Sequence, residues 1–401
     1  MQSAMRAPAE APEQPVPATL GRLHLRNFRN FADLRCEFPP QGAMITGPNG
    51  AGKTNLLEAI YYLEVFRSFR GAPDSELVRF GADVFRIEAG LQGDPERATV
   101  AAAYQRGTRR KKVQLDDREP DRLADAIGAF GAVVFHLDDA ELVAGSPGRR
   151  RRFLDILLSI VEPGYLADLQ RYRAVLSQRN EALRAGRTGV IDAWTPGLIE
   201  PGGRVMAVRS RWVAERAAGF RAYHEAVADG AGASIRYEPG LGGRSTDSDP
   251  GAPSDPAPAD AWSGRLASGL EAAADRDRRR GFTTVGPHRD DLEIRARVDA
   301  GEAERDLRSF GSGGQKRTAA IALRLVEADS LRDARGREPV YLLDDVFAEL
   351  DRDRADRVFR LLEEGRTGQV FFTAPKPVDV PLRAGGLARW RIRDGVLASA
   401  G

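Results

Sequence analysis

The octapeptide Gly47-Pro48-Asn49-Gly50-Ala51-Gly52-Lys53-Thr54 constrains the fold of this chain more than any other stretch. It fits the pattern G-x-x-x-x-G-K-[ST], follows the apolar run "AMIT" and leads into "NLLEAIYYLEVF", whose apolar residues recur at helical spacing. Strand, glycine-rich turn and helix in that order make a cradle in which backbone N–H groups and a helix N-terminus face phosphate. In such a cradle Lys53 reaches the β- and γ-phosphates of ATP, and Thr54 offers its hydroxyl to Mg²⁺. The loop therefore predicts an α/β nucleotide-binding domain, without saying what the nucleotide drives.

Two further stretches complete the pattern. The apolar run "VYLLDDV" at 340–346 ends in two acids, which predicts that Asp344 holds Mg²⁺ through water at the mouth of a sheet and that Asp345 orients the attacking water. An apolar strand ending in two acids is common and mostly structural; beside a phosphate loop it gains meaning. In "SFGSGGQKRTAAIALRL", Ser312-Gly313-Gly314-Gln315 opens a helix about 30 residues before the acidic strand. That stretch resembles the signature of ABC-type ATPases, in which the serine and the helix N-terminus serve the ATP bound by a second subunit. The resemblance implies that Ser312, Gly314 and Gln315 meet a partner's nucleotide; the alternative is a glycine-rich helix start that Ser312 merely caps.

The chain of 401 residues is 42% hydrophobic and 29% charged, enough for one large domain or two ordinary ones. Its single cysteine, Cys36, cannot form an internal disulfide, and no run approaches the roughly 18 apolar residues of a membrane span, so a cytoplasmic protein without a membrane partner is expected. Residues 1–19 read as a disordered Ala/Pro/Glu-rich tail. Residues 20–143 alternate apolar runs with turns, as the N-terminal half of an ATPase head. Residues 144–280 read as an inserted helical arm, too often interrupted by Pro and Gly for a long coiled coil and carrying a flexible loop at 239–260. Residues 281–401 return to strands and turns as the C-terminal half of the head.

Seven blocks then occur in one order: "LHLRNFRNF", the phosphate loop running into "NLLEAIYYLEVFRSFR", "GSPGRRRRFLD", "LSQRNEALR", "VGPHRDDLEIR", the signature helix and "YLLDDVFAELD". Together they resemble the bacterial RecF family from Leu20 to the C-terminus. The resemblance implies an ABC/SMC-like ATPase head of mixed sheet and helices with a short helical arm lobe. It also implies an ATP-dependent homodimer on double-stranded DNA at gapped junctions, working with RecR and RecO to load RecA, in the cytoplasm at the nucleoid. Arg70 approaches phosphate on the same resemblance.

The chain departs from the family in three places. Gly313 follows the signature serine where many members carry Gln. His136-Leu137-Asp138-Asp139 follows "VVF" where the family usually has a proline and an acid, which leaves open which acid there meets Mg²⁺. Where ABC transporters place a catalytic glutamate and a switch histidine, this chain has Asp345 and Thr373, which implies slow hydrolysis and a timed switch.

A net charge of +2 gives no global attraction to nucleic acid, so contacts must come from patches. Arg109-Arg110-Lys111-Lys112 lie at or after a hairpin tip near Gly107, and Arg149-Arg150-Arg151-Arg152 open a helix whose dipole they oppose, a conflict that an external phosphate would relieve. The alternatives are a solvated turn for the first and pairing with acids such as Asp155 for the second. Arg276 to Arg280 read as a solvated helix end. No aromatic and basic interleaving suited to stacked single-stranded bases stands out, so phosphate recognition of duplex is expected. His24, His136, His224 and His288 have no zinc spacing, and His288 is expected to hydrogen-bond near the nucleotide face.

A membrane-transporter ATPase subunit is the main rival reading, disfavoured by the N-terminal block, the arm and the missing switch histidine. A nuclease with the same head would need an appended domain of metal-binding acids, and a ligase or kinase would leave the signature helix without a purpose.

Overall fold

The computed structural model describes residues 19–94, 97–228, 230, 232–242, 256–297, 304–346, 350–363, 368–375, 386–393 and 395–399. The expected N-terminal tail and the centre of the 239–260 loop lie outside the described residues. The chain opens with strands β1 (Thr19–Phe28), β2 (Phe31–Glu37) and β3 (Gly42–Thr46), helix α1 (Lys53–Val65) and the single turn α2 (Asp74–Leu77). Strands β4 (Val84–Gln92), β5 (Thr99–Gln105) and β6 (Arg110–Leu115), the turn α3 (Leu123–Ala126) and β7 (Ala132–His136) follow. The helices α4 (Ala140–Ala144), α5 (Pro147–Val161), α6 (Tyr165–Arg184), α7 (Thr188–Trp194) and α8 (Pro196–Ala228) form the arm, succeeded by β8 (Ala233–Glu238) and α9 (Ala259–Arg280). The chain returns through β9 (Asp291–Ala296), β10 (Arg305–Asp306), α10 (Leu307–Phe310), α11 (Gly313–Arg335), β11 (Val340–Asp344), α12 (Arg352–Glu363), β12 (Val370–Ala374), β13 (Ala388–Arg393) and β14 (Val396–Ser399).

The two ends of the chain build one sheet, in the order β14-β13-β3-β12-β11-β7, parallel except for the edge strand β14. Its inner strands are buried on both faces, as parallel strands are, and the period of two divides their side chains between two cores. Ala43, Ile45, Val134, Leu342 and Phe371 face α1 and the antiparallel sheet β2-β1-β4-β5-β6. Met44, Val133, Phe135, Leu343 and Phe372 face α11 and the arm. Buried nearly all round, α1 is the central post of the head.

The arm departs from expectation in two ways. Pro201, Gly202 and Gly203 do not break α8, which runs for 33 residues, roughly 50 Å. Pro201 lies near its start, where little of the hydrogen-bond ladder is lost. The two glycines let α9 approach, since a Cβ on Gly202 would sit 2.5 Å from Leu266 and one on Gly203 2.2 Å from Ser263. Second, β8 pairs antiparallel with β9 in the sheet β10-β9-β8, so the boundary expected at residue 280 runs through a continuous sheet. Ala233, Ile235 and Tyr237 alternate inward along β8, a pattern too short to stand out between helices.

Candidate nucleotide site and basic surfaces

The phosphate loop leaves the C-terminal end of β3 and feeds directly into α1. Gly50 and Gly52 adopt φ of +79° and +112°, conformations that side chains resist. A Cβ on Gly52 would also meet the Asn30 amide at 2.5 Å. Lys53 is 5% exposed, and its ammonium donates to the carbonyl of Gly47 at 2.9 Å and leans toward that of Pro48 at 3.4 Å. The lysine charge is therefore folded over the loop that the sequence assigns to phosphate.

Three strands line up beside this loop: Thr373, Asp344 and His136 are register partners on β12, β11 and β7, and Thr46, the last residue of β3, pairs with Ala374 next to Thr373. Ligands of open α/β sheets collect at this carboxyl edge. Thr54 donates its hydroxyl to Asp344 Oδ1 at 3.0 Å, and Thr373 donates to the same oxygen at 3.0 Å. His136 Nε2 lies 3.4 Å from Asp344 Oδ2. Burial pushes the Asp344 carboxyl above its ordinary range, while the neighbouring His136 and the Thr54 hydrogen bond oppose the shift. Asp345 holds φ of +50°, and its N–H donates to Thr373 Oγ1 at 3.0 Å. Thr373 is thus tied to both acids by its single hydroxyl.

A hydroxyl and a carboxylate converging at a helix N-terminus are hard oxygen donors suited to Mg²⁺. Among the described residues no group of three or more His, Cys, Asp or Glu forms a self-contained metal cage, so a cation here draws on phosphate oxygens and water.

Beneath the loop is a brace that the sequence reading did not assign. The Asn30 amide donates to Ala51 O at 3.0 Å and accepts from Asn55 Nδ2 at 2.8 Å. Arg29 grips the fully buried Glu58 of α1 with two hydrogen bonds of 2.8 and 2.9 Å, and Ser68 donates to the same carboxylate at 2.5 Å. Arg70 reaches Asn55 Oδ1 at 3.4 Å and is 43% exposed beside the loop. The block "LRNFRNF" is thus a clamp on the phosphate loop; with partners spread between residues 51 and 58, its spacing gave no periodic signal.

Ser312 caps α11: its Oγ accepts from Gln315 N at 3.2 Å, and Gln315 Oε1 accepts from Ser312 N at 2.8 Å. Ser312 is exposed, and a Cβ on Gly314 would meet Arg354 at 2.7 Å. Ser312 thus caps the helix, and the helix start is open to solvent. On the strand-to-arm connection, Asp139 grips Arg324 of α11 at 2.6 and 3.0 Å, whereas Asp138 is 80% exposed.

Two of the eight basic candidates are corrected. Lys111 turns inward, pairing with Asp74 at 2.9 Å, donating to Phe66 O and lying 5.2 Å from the Tyr62 ring centroid. Arg150 is buried, with Asp291 at 2.7 and 2.8 Å and Gly145 O at 2.9 Å. These inner partners satisfy the two cations and leave no room for a phosphate. Arg109 and Arg110 are exposed at the β5–β6 turn, and Lys112 is half-exposed against Glu119. Arg149 is 59% exposed, and Arg151 is half-buried, donating to Asp290 O at 2.6 Å. Arg67, Arg151, Arg152 and Arg173 line a groove of about 660 Å³ between the end of α1 and the facing sides of α5 and α6.

Asp155 pairs with Arg209 and Arg173, each at 2.6 Å, and with none of the arginines beside it in sequence. Arg209 also bonds Asp290 at 2.6 Å, Pro287 O at 2.7 Å and Tyr165 at 3.0 Å, while Asp290 accepts from Tyr237 and from Gly240 N. His288 does hydrogen-bond structurally, with Tyr172 at 2.6 Å and Thr283 O at 3.0 Å. Its partners place it in this arm hub, a correction to the expected nucleotide face, because α6 reaches it before any residue of the phosphate loop does. Blocks that looked functional in sequence thus lock the arm together.

Residues 19–378 match the RecF/RecN/SMC N-terminal domain family. The chain is 34% identical over 348 residues to the DNA replication and repair protein RecF of Halalkalibacterium halodurans, covering 85% of this chain and 89% of that one. It is also 34% identical to RecF of Moorella thermoacetica, over 91% of this chain and 92% of the relative. A solved structure described as the recombination mediator protein RecF with ATP in the RecFOR pathway superposes with TM-score 0.83 at 28% identity, covering 98% of this chain and 100% of that one. An Smc head bound to the C-terminal winged-helix domain of ScpA matches in fold, with TM-score 0.52 at 18% identity, over 95% of this chain and 97% of that one.

Proposed function

The chain belongs to the RecF family of DNA replication and repair proteins, and on that premise we propose that two copies close on two ATP molecules and thereby clamp duplex DNA beside single-strand gaps. The observation that carries the nucleotide half is the contact of Thr54 with Asp344 directly under the glycine loop. A structural neighbour was solved with ATP, which supports ATP as the ligand of this loop as well. In this reading the loop N–H groups and Lys53 hold the phosphates, and Thr54 and Asp344 hold Mg²⁺, which neutralises phosphate charge. Asp345 accepts a hydrogen bond from the attacking water. Its carboxylate is one methylene shorter than a glutamate and its backbone is bound to Thr373, which suits slow hydrolysis by a switch.

Ser312 supplies the dimer half of the proposal. Its exposed position at the start of α11 lets it meet the γ-phosphate of a second copy, so that ATP binding contributes to dimer stability. DNA phosphates then meet Arg109, Arg110, Arg149 and Arg152, with Arg67 and Arg151 along the groove. The neighbour's placement in the RecFOR pathway supports RecR and RecO as partners and recombinase loading as the outcome.

The test is fluorescence anisotropy of a labelled gapped duplex titrated with protein, with and without MgATP, using Asp345→Asn to slow turnover. Tight binding that requires MgATP supports the clamp. Binding indifferent to ATP detaches the nucleotide site from DNA and defeats it.

A further inference from the structure

We infer that His136 is a positioning residue for Asp344, holding its carboxylate in the orientation that lets nucleotide-bound Mg²⁺ be captured. The inference rests on reading Thr54 and Asp344 as the Mg²⁺ pair.

The two carboxylate oxygens have separate partners. Oδ1 receives the hydroxyls of Thr54 and Thr373, both at 3.0 Å, on the side of the phosphate loop. Oδ2 faces His136 Nε2 at 3.4 Å. His136 Nδ1 is within 3.1 Å of the Asp138 N–H, which can only donate. Nδ1 is therefore the acceptor, and the proton of the neutral ring resides on Nε2, the ring nitrogen 3.4 Å from Asp344 Oδ2.

The imidazole is itself fixed on three sides. Its ring lies edge-on to Phe69 with centroids 5.1 Å apart. Its backbone N–H donates to Asp139 Oδ2 at 2.9 Å, and Asp139 is gripped in turn by Arg324. It is the last residue of β7, in register with Asp344 on β11. A ring so held restricts rotation of a carboxylate that is only 3% exposed. Without the imidazole beside it, Oδ2 loses the group that faces it at 3.4 Å, and the carboxylate is free to turn, moving Oδ1 away from the Thr54 hydroxyl.

The experiment compares wild type, His136→Phe, His136→Leu and His136→Gln. Phe keeps a ring against Phe69 without a donor, whereas Gln carries an amide N–H near the place of Nε2. ATP binding is followed by calorimetry across a Mg²⁺ series and in EDTA, with thermal melting of each variant. The expected result is that Phe and Leu need about tenfold more Mg²⁺ for half-maximal tight ATP binding, and that Gln recovers most of the loss. Affinity in EDTA, which the loop alone supplies, stays at the wild-type value. A wild-type Mg²⁺ response in Phe and Leu overturns the inference. So does an equal loss with and without Mg²⁺, which marks loop damage, or a Gln variant no better than Phe. Wild-type ATP affinity that ignores Mg²⁺ is a different failure, since it removes the metal reading itself and this inference with it.

Discussion

Thr54, the second residue of α1, donates its hydroxyl to Asp344 at the end of β11 across 290 residues of sequence, at 3.0 Å. The contact closes a head whose two halves are separated by the whole arm. It also explains why the arm can be inserted there, because β3, β7, β11 and β12 pair directly with one another and need nothing from the arm to align their carboxyl ends.

Lys53→Ala should weaken ATP binding about 10- to 100-fold, the loss expected for a charge-assisted contact to phosphate. Its hydrogen bonds reach only carbonyls of its own loop, so the melting temperature should hold. Calorimetric titration with ATP and a thermal scan check both; a large fall in melting temperature with intact affinity would contradict the assignment.

Asp345 should separate chemistry from backbone strain. Asn tolerates φ of +50° and cannot serve as a base, so Asp345→Asn should bind ATP normally and hydrolyse it at least about tenfold more slowly. Asp345→Ala adds a conformational cost of about 1 kcal/mol and should lower stability as well. Single-turnover hydrolysis and denaturant unfolding of the two variants distinguish the effects.

The arginines divide between solvent and interior. Arg110→Ala should reduce the salt slope of DNA binding by about one and leave stability unchanged, as removal of one exposed phosphate contact does. Arg150→Ala should destabilise the fold by roughly 3 kcal/mol, because Asp291 and the carbonyl of Gly145 lose their partner. Anisotropy at several salt concentrations and urea unfolding read the two outcomes; a folded Arg150→Ala variant that loses only DNA would reverse the assignment.

How legible each feature was depended on how local its cause is. The phosphate loop, the strand to Asp344 and the cap of α11 each rest on a few adjacent residues, and the structure has them as elements where the sequence placed them. The inward turn of Lys111 and the burial of Arg150 depend on Asp74 and Asp291, whose proximity only the packed fold creates. The Arg209–Asp290 pair spans 81 residues and leaves no trace in periodicity. The same holds for β8, whose partner β9 lies beyond α9.

The arm hub makes the protein's stability depend on pH through His288. Its Nε2 donates to Thr283 O, which only accepts, and in the neutral ring Nδ1 accepts from the Tyr172 hydroxyl. Burial pushes the His288 imidazole down to about 4 from its ordinary 6.5, although the Thr283 carbonyl opposes the shift. Between those values the unfolded chain binds the proton and the folded chain does not, so stability is full above about pH 6.5 and falls as pH drops toward 4. Below that both states are protonated and this contribution is flat. The shift amounts to about 3 kcal/mol across the window. His288→Gln, which keeps an amide near both partners but does not titrate, should lose stability at neutral pH and show a shallower fall between pH 6.5 and 4 than the wild type. Urea unfolding of both proteins at half-unit steps measures the difference, and parallel curves would remove His288 as its source.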